Sequence, residues 1–181
     1  MIAGVDEVGR GCIAGPVVAA AVILQANIEG IKDSKKLSEK KRNELSELIK
    51  SNAIYSFGLS SNDEIDEFNI QNATFLAMQR AVKNLSVQPK KILVDGNQVF
   101  ETNLPIEAIV GGDNLITSIS AASIIAKVYR DKIMQDLAAK FPHYSFEKHK
   151  GYPTKQHYEA IKHYGICEFH RKSFKGVLRG E

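Results

Sequence analysis

Tryptophan is absent from the 181 residues, and cysteine nearly so: Cys12 and Cys167 are the two present. They form no C-x-x-C spacing. A disulfide framework or a cysteine-based zinc site is therefore not expected, and a reducing, cytoplasmic setting is. Long apolar runs are also missing. The longest, Pro16 to Leu24, falls far short of the ~20 residues a helix needs to cross a bilayer. The opening Met1-Ile2-Ala3-Gly4-Val5-Asp6 lacks the basic and apolar regions of a secretion signal. No repeat or low-complexity linker interrupts the chain. With 44% hydrophobic and 25% charged residues, a sizeable core is within reach, and one compact domain with a small C-terminal addition is expected.

A strong net charge is lacking as well, since the formal value is only +3, but the distribution is uneven. Up to Ala139 there are 15 Lys/Arg against 17 Asp/Glu; from Lys140 onward there are 9 against 4. All five histidines lie in that tail: His143, His149, His157, His163 and His170. Phe141, Tyr144, Phe146, Tyr152, Tyr158, Tyr164, Phe169 and Phe174 are interleaved with them. Cations among flat rings suit phosphate backbones and bases. A solvated helical face over a few core aromatics reads the same residues equally well. The expected organisation is a main body over 1–140 and a basic, mostly helical segment over 141–181, packed on that body and open to a nucleic acid.

Val- and Ile-rich runs predict strands at Met1 to Val8, Pro16 to Leu24, Ala53 to Leu59, Lys91 to Asp95 and Ile106 to Val110. Helical spacing predicts a helix capped by Ser38 and running to about Lys50, another from about Asn69 to Leu85, and a long one from Thr117 to Lys140. The small residues Ser118, Ser120, Ala121, Ala122, Ser123 and Ala126 would let that last helix lie close on a sheet. Pro142 ends it. Thr154 can cap a final helix closed by Gly165. Strands that pair first and then alternate with helices indicate an α/β domain around a mixed sheet.

Three apolar runs finish in acids. Ile2-Ala3-Gly4-Val5 leads to Asp6-Glu7, Ile92-Leu93-Val94 to Asp95, and Ile106 to Val110, through Gly111-Gly112, to Asp113. Sites in α/β sheets form beyond the strand carboxyl ends. Acids that converge there repel unless a cation lies between them. Oxygen ligands without Cys or His select Mg²⁺ or Mn²⁺. Two such ions can activate water and stabilise a leaving oxygen in phosphodiester hydrolysis. The bland alternative is three strand ends emerging into water. A further difficulty is that Asp6 and Glu7 are adjacent, so the strand must end or twist at Glu7 for both to face the same ions.

Gly9-Arg10-Gly11-Cys12-Ile13-Ala14 fits the G-x-G-x-x-A dinucleotide fingerprint, which requires a helix to start there. Gly15-Pro16 and a Val/Ala/Ile run follow instead, and an acidic pair precedes, so that reading is rejected. Glycines that let backbone approach a sugar hydroxyl, with Arg10 clamping a phosphate oxygen, fit better. A tight turn with Arg10 in solvent is the simpler alternative.

The landmarks occur in a specific order: Gly4-Val5-Asp6-Glu7-Val8-Gly9-Arg10-Gly11, Ala14-Gly15-Pro16-Val17-Val18-Ala19-Ala20-Ala21, Asp33-Ser34-Lys35-Lys36-Leu37-Ser38, Val94-Asp95-Gly96-Asn97 and Gly112-Asp113. Ser120-Ala121-Ala122-Ser123-Ile124-Ile125-Ala126-Lys127, Lys150-Gly151-Tyr152 and His170-Arg171-Lys172-Ser173-Phe174 complete them. Over nearly its whole length the chain resembles the bacterial type 2 ribonucleases H (ribonuclease HII).

That resemblance implies a ribonuclease H-like fold and a site of Asp6, Glu7, Asp95 and Asp113 holding two Mn²⁺ or Mg²⁺ ions during catalysis. It implies that Gly9, Arg10 and Gly11 contact the 2′-hydroxyl and phosphates at the cut, and that Tyr152 stacks at an RNA–DNA junction. The implied activity is endonucleolytic cleavage of RNA in RNA–DNA hybrids and on the 5′ side of ribonucleotides embedded in duplex DNA, leaving 3′-hydroxyl and 5′-phosphate ends. Lys36 and Arg171 are candidate phosphate contacts, and a monomer is the default. No histidine is given a catalytic role. The chain departs from many relatives at Cys12-Ile13, where Pro-Leu is common, and at Gly111, where Lys is common. A non-enzymatic nucleic-acid binder and a junction-resolving nuclease are the rival readings. The acids speak against the first, and the glycine turn with Tyr152 against the second.

Overall fold

The computed structural model describes residues 1–31 and 38–178. Lys36, with Lys35, lies outside the described residues. Strands β1 (Ile2–Val8), β2 (Val17–Leu24), β3 (Ala53–Ser60), β4 (Lys91–Asp95) and β5 (Ile106–Ile109) form one sheet in the order β3-β2-β1-β4-β5. The β1–β2 and β2–β3 pairs are antiparallel; β1–β4 and β4–β5 are parallel. Helices α1 (Glu39–Ser51), α2 (Asn62–Lys83), α3 (Gly112–Leu115), α4 (Thr117–Lys140), α5 (Phe146–His149) and α6 (Lys155–Tyr164) complete the chain, with a 3₁₀ turn at Pro142–Tyr144. This is the mixed α/β sheet that the alternation of strands and helices predicts.

The sheet is covered on both faces, and period-two alternation divides its side chains. Val5, Val17, Ala19 and Ala21 pack with Ile65, Ala73, Ala77 and Met78 of α2. Val18, Ala20 and Val22 pack with Leu45 and Ile49 of α1 and with Ala121, Ala122 and Ile125 of α4. Each buried Val or Ile stabilises by about 1.5–3 kcal/mol. The small-residue start of α4 lies directly on β1: a Cβ on Gly4 would come within 2.2 Å of the Ser118 carbonyl carbon.

Two expectations change. The second helix begins at Asn62 rather than near Asn69, because Ser61 and Glu64 form a capping box. Asn69, with φ +67°, interrupts it and starts the stretch that the apolar spacing reveals. The second change is in the tail, where much of the chemistry read as a nucleic-acid surface is core. Tyr144, Phe146, His149, His157, His170 and Arg171 are buried. Tyr144, Phe146 and Ile161 pack with Ile13, Met134 and Leu137.

Backbone bonds stitch the tail to the connection between β1 and β2. Ile13 N–H donates to Gly151 O (2.8 Å), Gly15 N–H to Phe169 O (2.8 Å), and Arg171 N–H to Ile13 O (2.8 Å).

Candidate active site

Parallel pairing sets Val5 opposite Val94, so Asp6 and Asp95, the next residue on each strand, come side by side. Asp95 is in register with Ile109 of β5. Beyond it the chain turns at Gly111, in the left-handed region at φ +67°, and α3 brings the Asp113 N–H to Asp95 Oδ1 (3.2 Å). Asp6 is almost completely buried. Burial and the neighbouring Glu7 charge hold its carboxyl well above the usual range; Asp95 adds to this, while the Ser123 hydroxyl and the Glu7 N–H (2.8 Å) oppose it. Glu7 is also raised, chiefly by burial and further by Asp95, against the pull of Arg10. The Arg10 guanidinium stands 3.7 Å from Glu7 Oε1. The other oxygen, Oε2, is buried without a hydrogen-bond partner among the described residues.

Of the two routes by which Glu7 could reach the same ions, an ending or a twist of the strand, the first is not taken, since β1 runs through Glu7 to Val8. Both acids stay in the ladder, Asp6 opposite Ala20 and Glu7 opposite Ala19. Those alanines belong to opposite faces of the sheet. The pair therefore straddles the sheet end, and Asp95 acts on both members. Among the described residues, no three His, Cys, Asp or Glu side chains are drawn together tightly enough to cage an ion. Like charges in a buried site resist that approach. The donor set nonetheless suits a hard cation. It is all oxygen, one buried oxygen lacks a partner among the described residues, and two carboxyls are held against ionisation, Asp6 by burial and the Glu7 charge, Glu7 by burial and Asp95.

The turn after β1 borders these acids. Because β2 follows it, no helix starts there and the dinucleotide fingerprint has no structural counterpart. Arg10 donates to Gln71 Oε1 (2.7 Å) while facing Glu7, so it is tethered beside the acids rather than loose in solvent. Gly9 has φ +95°, and a Cβ there would meet Arg130 Nε at 2.3 Å. Gly11 differs. It is exposed, and a Cβ there would meet nothing within 4 Å. The fold does not require that glycine, and the space beside it is open.

Tyr152 is 41% exposed. Its backbone N–H donates to His149 O (2.9 Å), and the Cys12 thiol, which donates to Lys150 O, lies close to its phenol. Burial of the inner part of the ring pushes the phenol pKa up, and burial likewise raises Cys12. Arg171 is not a surface phosphate contact. It is fully buried and donates to Gly9 O (2.6 Å), Arg10 O (3.0 Å) and Gly15 O (3.0 Å). Residues missed by the sequence reading are Ser123, Gln71 and Arg130. Only Arg130 left a signal: it is a cation on the otherwise apolar α4 stripe Ala126, Met134 and Leu137.

The architecture matches solved structures. It aligns with the crystal structure of the ribonuclease H2 from Pyrococcus horikoshii OT3 at a TM-score of 0.82 and 30% identity, covering 97% of this chain and 94% of that one. Fold and acidic sheet end together define an α/β nuclease of the ribonuclease H type. A family model for Ribonuclease HII matches residues 3–177. Curated relatives named Ribonuclease HII are 57% identical in Shewanella pealeana (97% of this chain, 88% of the relative) and 56% identical in Vibrio parahaemolyticus (99% and 86%). The chain belongs to the ribonuclease HII family. It is an endoribonuclease, from a divalent-metal-dependent family that acts on RNA–DNA substrates. No described helix is long and apolar enough to cross a membrane.

Proposed function

We propose that this chain cuts the RNA strand of RNA–DNA hybrids and cuts on the 5′ side of ribonucleotides embedded in duplex DNA, leaving 3′-hydroxyl and 5′-phosphate ends. The observation that carries the reading is the meeting of buried Asp6 with half-buried Glu7 and Asp95 beside a glycine turn whose Gly11 is open to solvent. The protein acts as a cytoplasmic monomer, and residues 141–181 form part of its substrate face.

Asp6, Glu7, Asp95 and Asp113 would hold two Mn²⁺ or Mg²⁺ ions. Bound there, the ions would supply Lewis acidity, making the attacking water more acidic and neutralising charge on the leaving 3′-oxygen. The remaining roles belong to the protein. Arg10, steadied by Gln71, clamps a phosphate oxygen next to the carboxylates. Backbone groups of Gly9 to Gly11 read the 2′-hydroxyl, which alone separates RNA from DNA locally. A deoxyribose leaves those groups unpaired, at a cost of about 1–3 kcal/mol. Tyr152 stacks on the sugar or base at the junction, contributing about 1–3 kcal/mol. Lys36 contacts a phosphate, and Arg171 acts beneath the turn rather than on the substrate.

The test is a DNA duplex with one ribonucleotide, incubated with Mn²⁺, Mg²⁺ or EDTA. One cut 5′ of the ribonucleotide is expected with a metal and none in EDTA. Asp6→Asn should lower the rate by about a thousandfold or more while hybrid binding persists. Turnover retained in that variant, or binding without cleavage by the wild type in either metal, overturns the proposal.

A further inference from the structure

Arg130 and Arg171 bury two guanidinium groups, and among the described residues neither has an acidic side chain within salt-bridge distance. Six backbone carbonyls receive them instead. Arg171 takes those of Gly9, Arg10 and Gly15. Arg130 takes Pro16 O through Nε (2.9 Å), Ala14 O through Nη2 (3.0 Å) and Lys150 O through Nη1 (2.7 Å). Burial and the nearby Arg130 charge push Arg171 down to about 10, which leaves it a cation at neutral pH.

Burying an unpaired charge is expensive, and the α4 stripe would accept an apolar residue at position 130 as it does at Met134. What a methionine could not do is join two separate pieces of backbone. Ala14 and Pro16 belong to the connection after β1, which also carries Gly9 to Gly11. Lys150 is two residues before Tyr152. The two pieces already touch: Ile13 N–H meets Gly151 O at 2.8 Å, and a Cβ on Gly151 would come within 2.5 Å of Ala14 O. Gly9 closes the arrangement, since its missing Cβ makes room for Arg130 Nε. A planar fork with fixed donor directions, engaged on both pieces, locks their separation as a flexible ammonium cannot.

We infer that Arg130 is a positioning residue that fixes the Gly9–Gly11 turn relative to the Tyr152 ring and thereby sets selectivity for a lone ribonucleotide in DNA. The inference rests on the proposed function. A single ribonucleotide offers one 2′-hydroxyl, so hydroxyl reading and ring stacking must be met together in one register. A run of ribonucleotides offers neighbouring hydroxyls, and a small change in separation can be absorbed by a shift along the strand.

The experiment compares single-turnover cleavage of a duplex with one ribonucleotide and of a long RNA–DNA hybrid, using wild type, Arg130→Lys, Tyr152→Ala and the double variant. Misplacement by a fraction of an ångström to an ångström costs about ten- to a hundredfold, so Arg130→Lys should lose that much on the lone ribonucleotide. On the long hybrid it should lose about threefold or less. In the Tyr152→Ala background it should cost little more at the lone site, because the ring it positions is gone. Equal losses on both substrates, or losses that simply multiply in the double variant, mean that Arg130 only holds the fold, and the inference fails. Should Arg130→Lys not fold, Gly151→Ala presses the two pieces apart from the other side and must give the same selective loss. Wild-type protein that leaves the lone ribonucleotide uncut overturns the proposed function together with this inference. Wild-type cutting with unselective loss overturns the inference alone.

Discussion

The acidic sheet end and the C-terminal tail are both rich in ionisable groups, yet their environments are opposite. At the sheet end Asp6 is buried and Glu7 and Asp95 are half-buried, Asp6 and Glu7 are held above their usual range, and Glu7 Oε2 has no hydrogen-bond partner among the described residues. In the tail, Lys148, Lys155, Lys162, Lys172 and Lys175 are solvated, while the buried groups are satisfied. His149 donates from Nε2 to Tyr144 O (2.6 Å) and accepts Gly151 N–H at Nδ1 (3.1 Å). His157 donates from Nδ1 to Tyr152 O (2.9 Å), and His170 accepts Cys167 N–H at Nδ1 (2.9 Å). Their Nε2 atoms face each other at 3.1 Å, which needs one donor and one acceptor, so His170 donates and His157 accepts. The contrast teaches that counting charges locates surface. Buried charge with unmet demand locates chemistry.

The largest expected effect breaks the satisfied side of that contrast with acid. His157 and His170 are lowered to about 4, mainly by burial. A pKa below the unfolded value near 6.5 means that the unfolded chain binds protons first. The stability from neutral rings is full above about pH 6.5 and is lost as pH falls toward 4, on the order of 3 kcal/mol per ring. Urea unfolding at intervals from pH 7.5 to 4.5 should show this loss, and His157→Gln should flatten it. A wild-type profile no steeper than that of the variant would mean the rings are already charged in the fold.

The sequence carried this fold well where periodicity is strong. The run from Thr117 to Lys140 is α4, and Thr154 with Gly165 brackets α6. It was silent on α3 and α5, four residues each, which are too short to show a period. The Ser61–Glu64 box was readable but lies before the polar stretch that Asn69 interrupts. At the site, the acids were legible because each follows an apolar run, although only Asp95 closes its strand, Asp6 and Glu7 lying within β1 and Asp113 in α3. Arg171 was misread because local sequence does not distinguish a cation in water from one engaged by Gly9, Arg10 and Gly15 carbonyls. Those partners are more than 150 residues away along the chain, and only the fold brings them together.

A smaller effect, opposite in sign, tests the unmet side. A raised carboxyl favours its protonated form in the fold, so its contribution to stability falls as pH rises through the carboxylate range. Asp6→Asn removes that buried charge, which burial and the Glu7 charge both disfavour. In EDTA at pH 7 the variant should melt a few degrees above the wild type, since about 1 kcal/mol shifts a domain of this size by about 2–4 °C. Adding Mn²⁺ should raise the wild-type melting temperature and the variant's less, because ligand stabilisation follows affinity. A variant that melts below the wild type in EDTA would show that the acids are not in conflict.

The smallest effect separates two neighbours in the tail. Lys172 is exposed, and its backbone N–H, not its ammonium, is held by Asp66 Oδ2 at 2.9 Å. Alanine keeps that bond, so Lys172→Ala should change stability by no more than about 0.5 kcal/mol. If the tail tracks a duplex, the lost cation should make the salt dependence of hybrid binding shallower by about one phosphate contact. Arg171 cannot contribute such a term, because its guanidinium is enclosed by three carbonyls and displaces no counterion from the duplex. A binding isotherm for Lys172→Ala that overlays the wild type across salt concentrations would take the exposed tail off the duplex path. Recognition would then rest on the turn after β1 and on Tyr152.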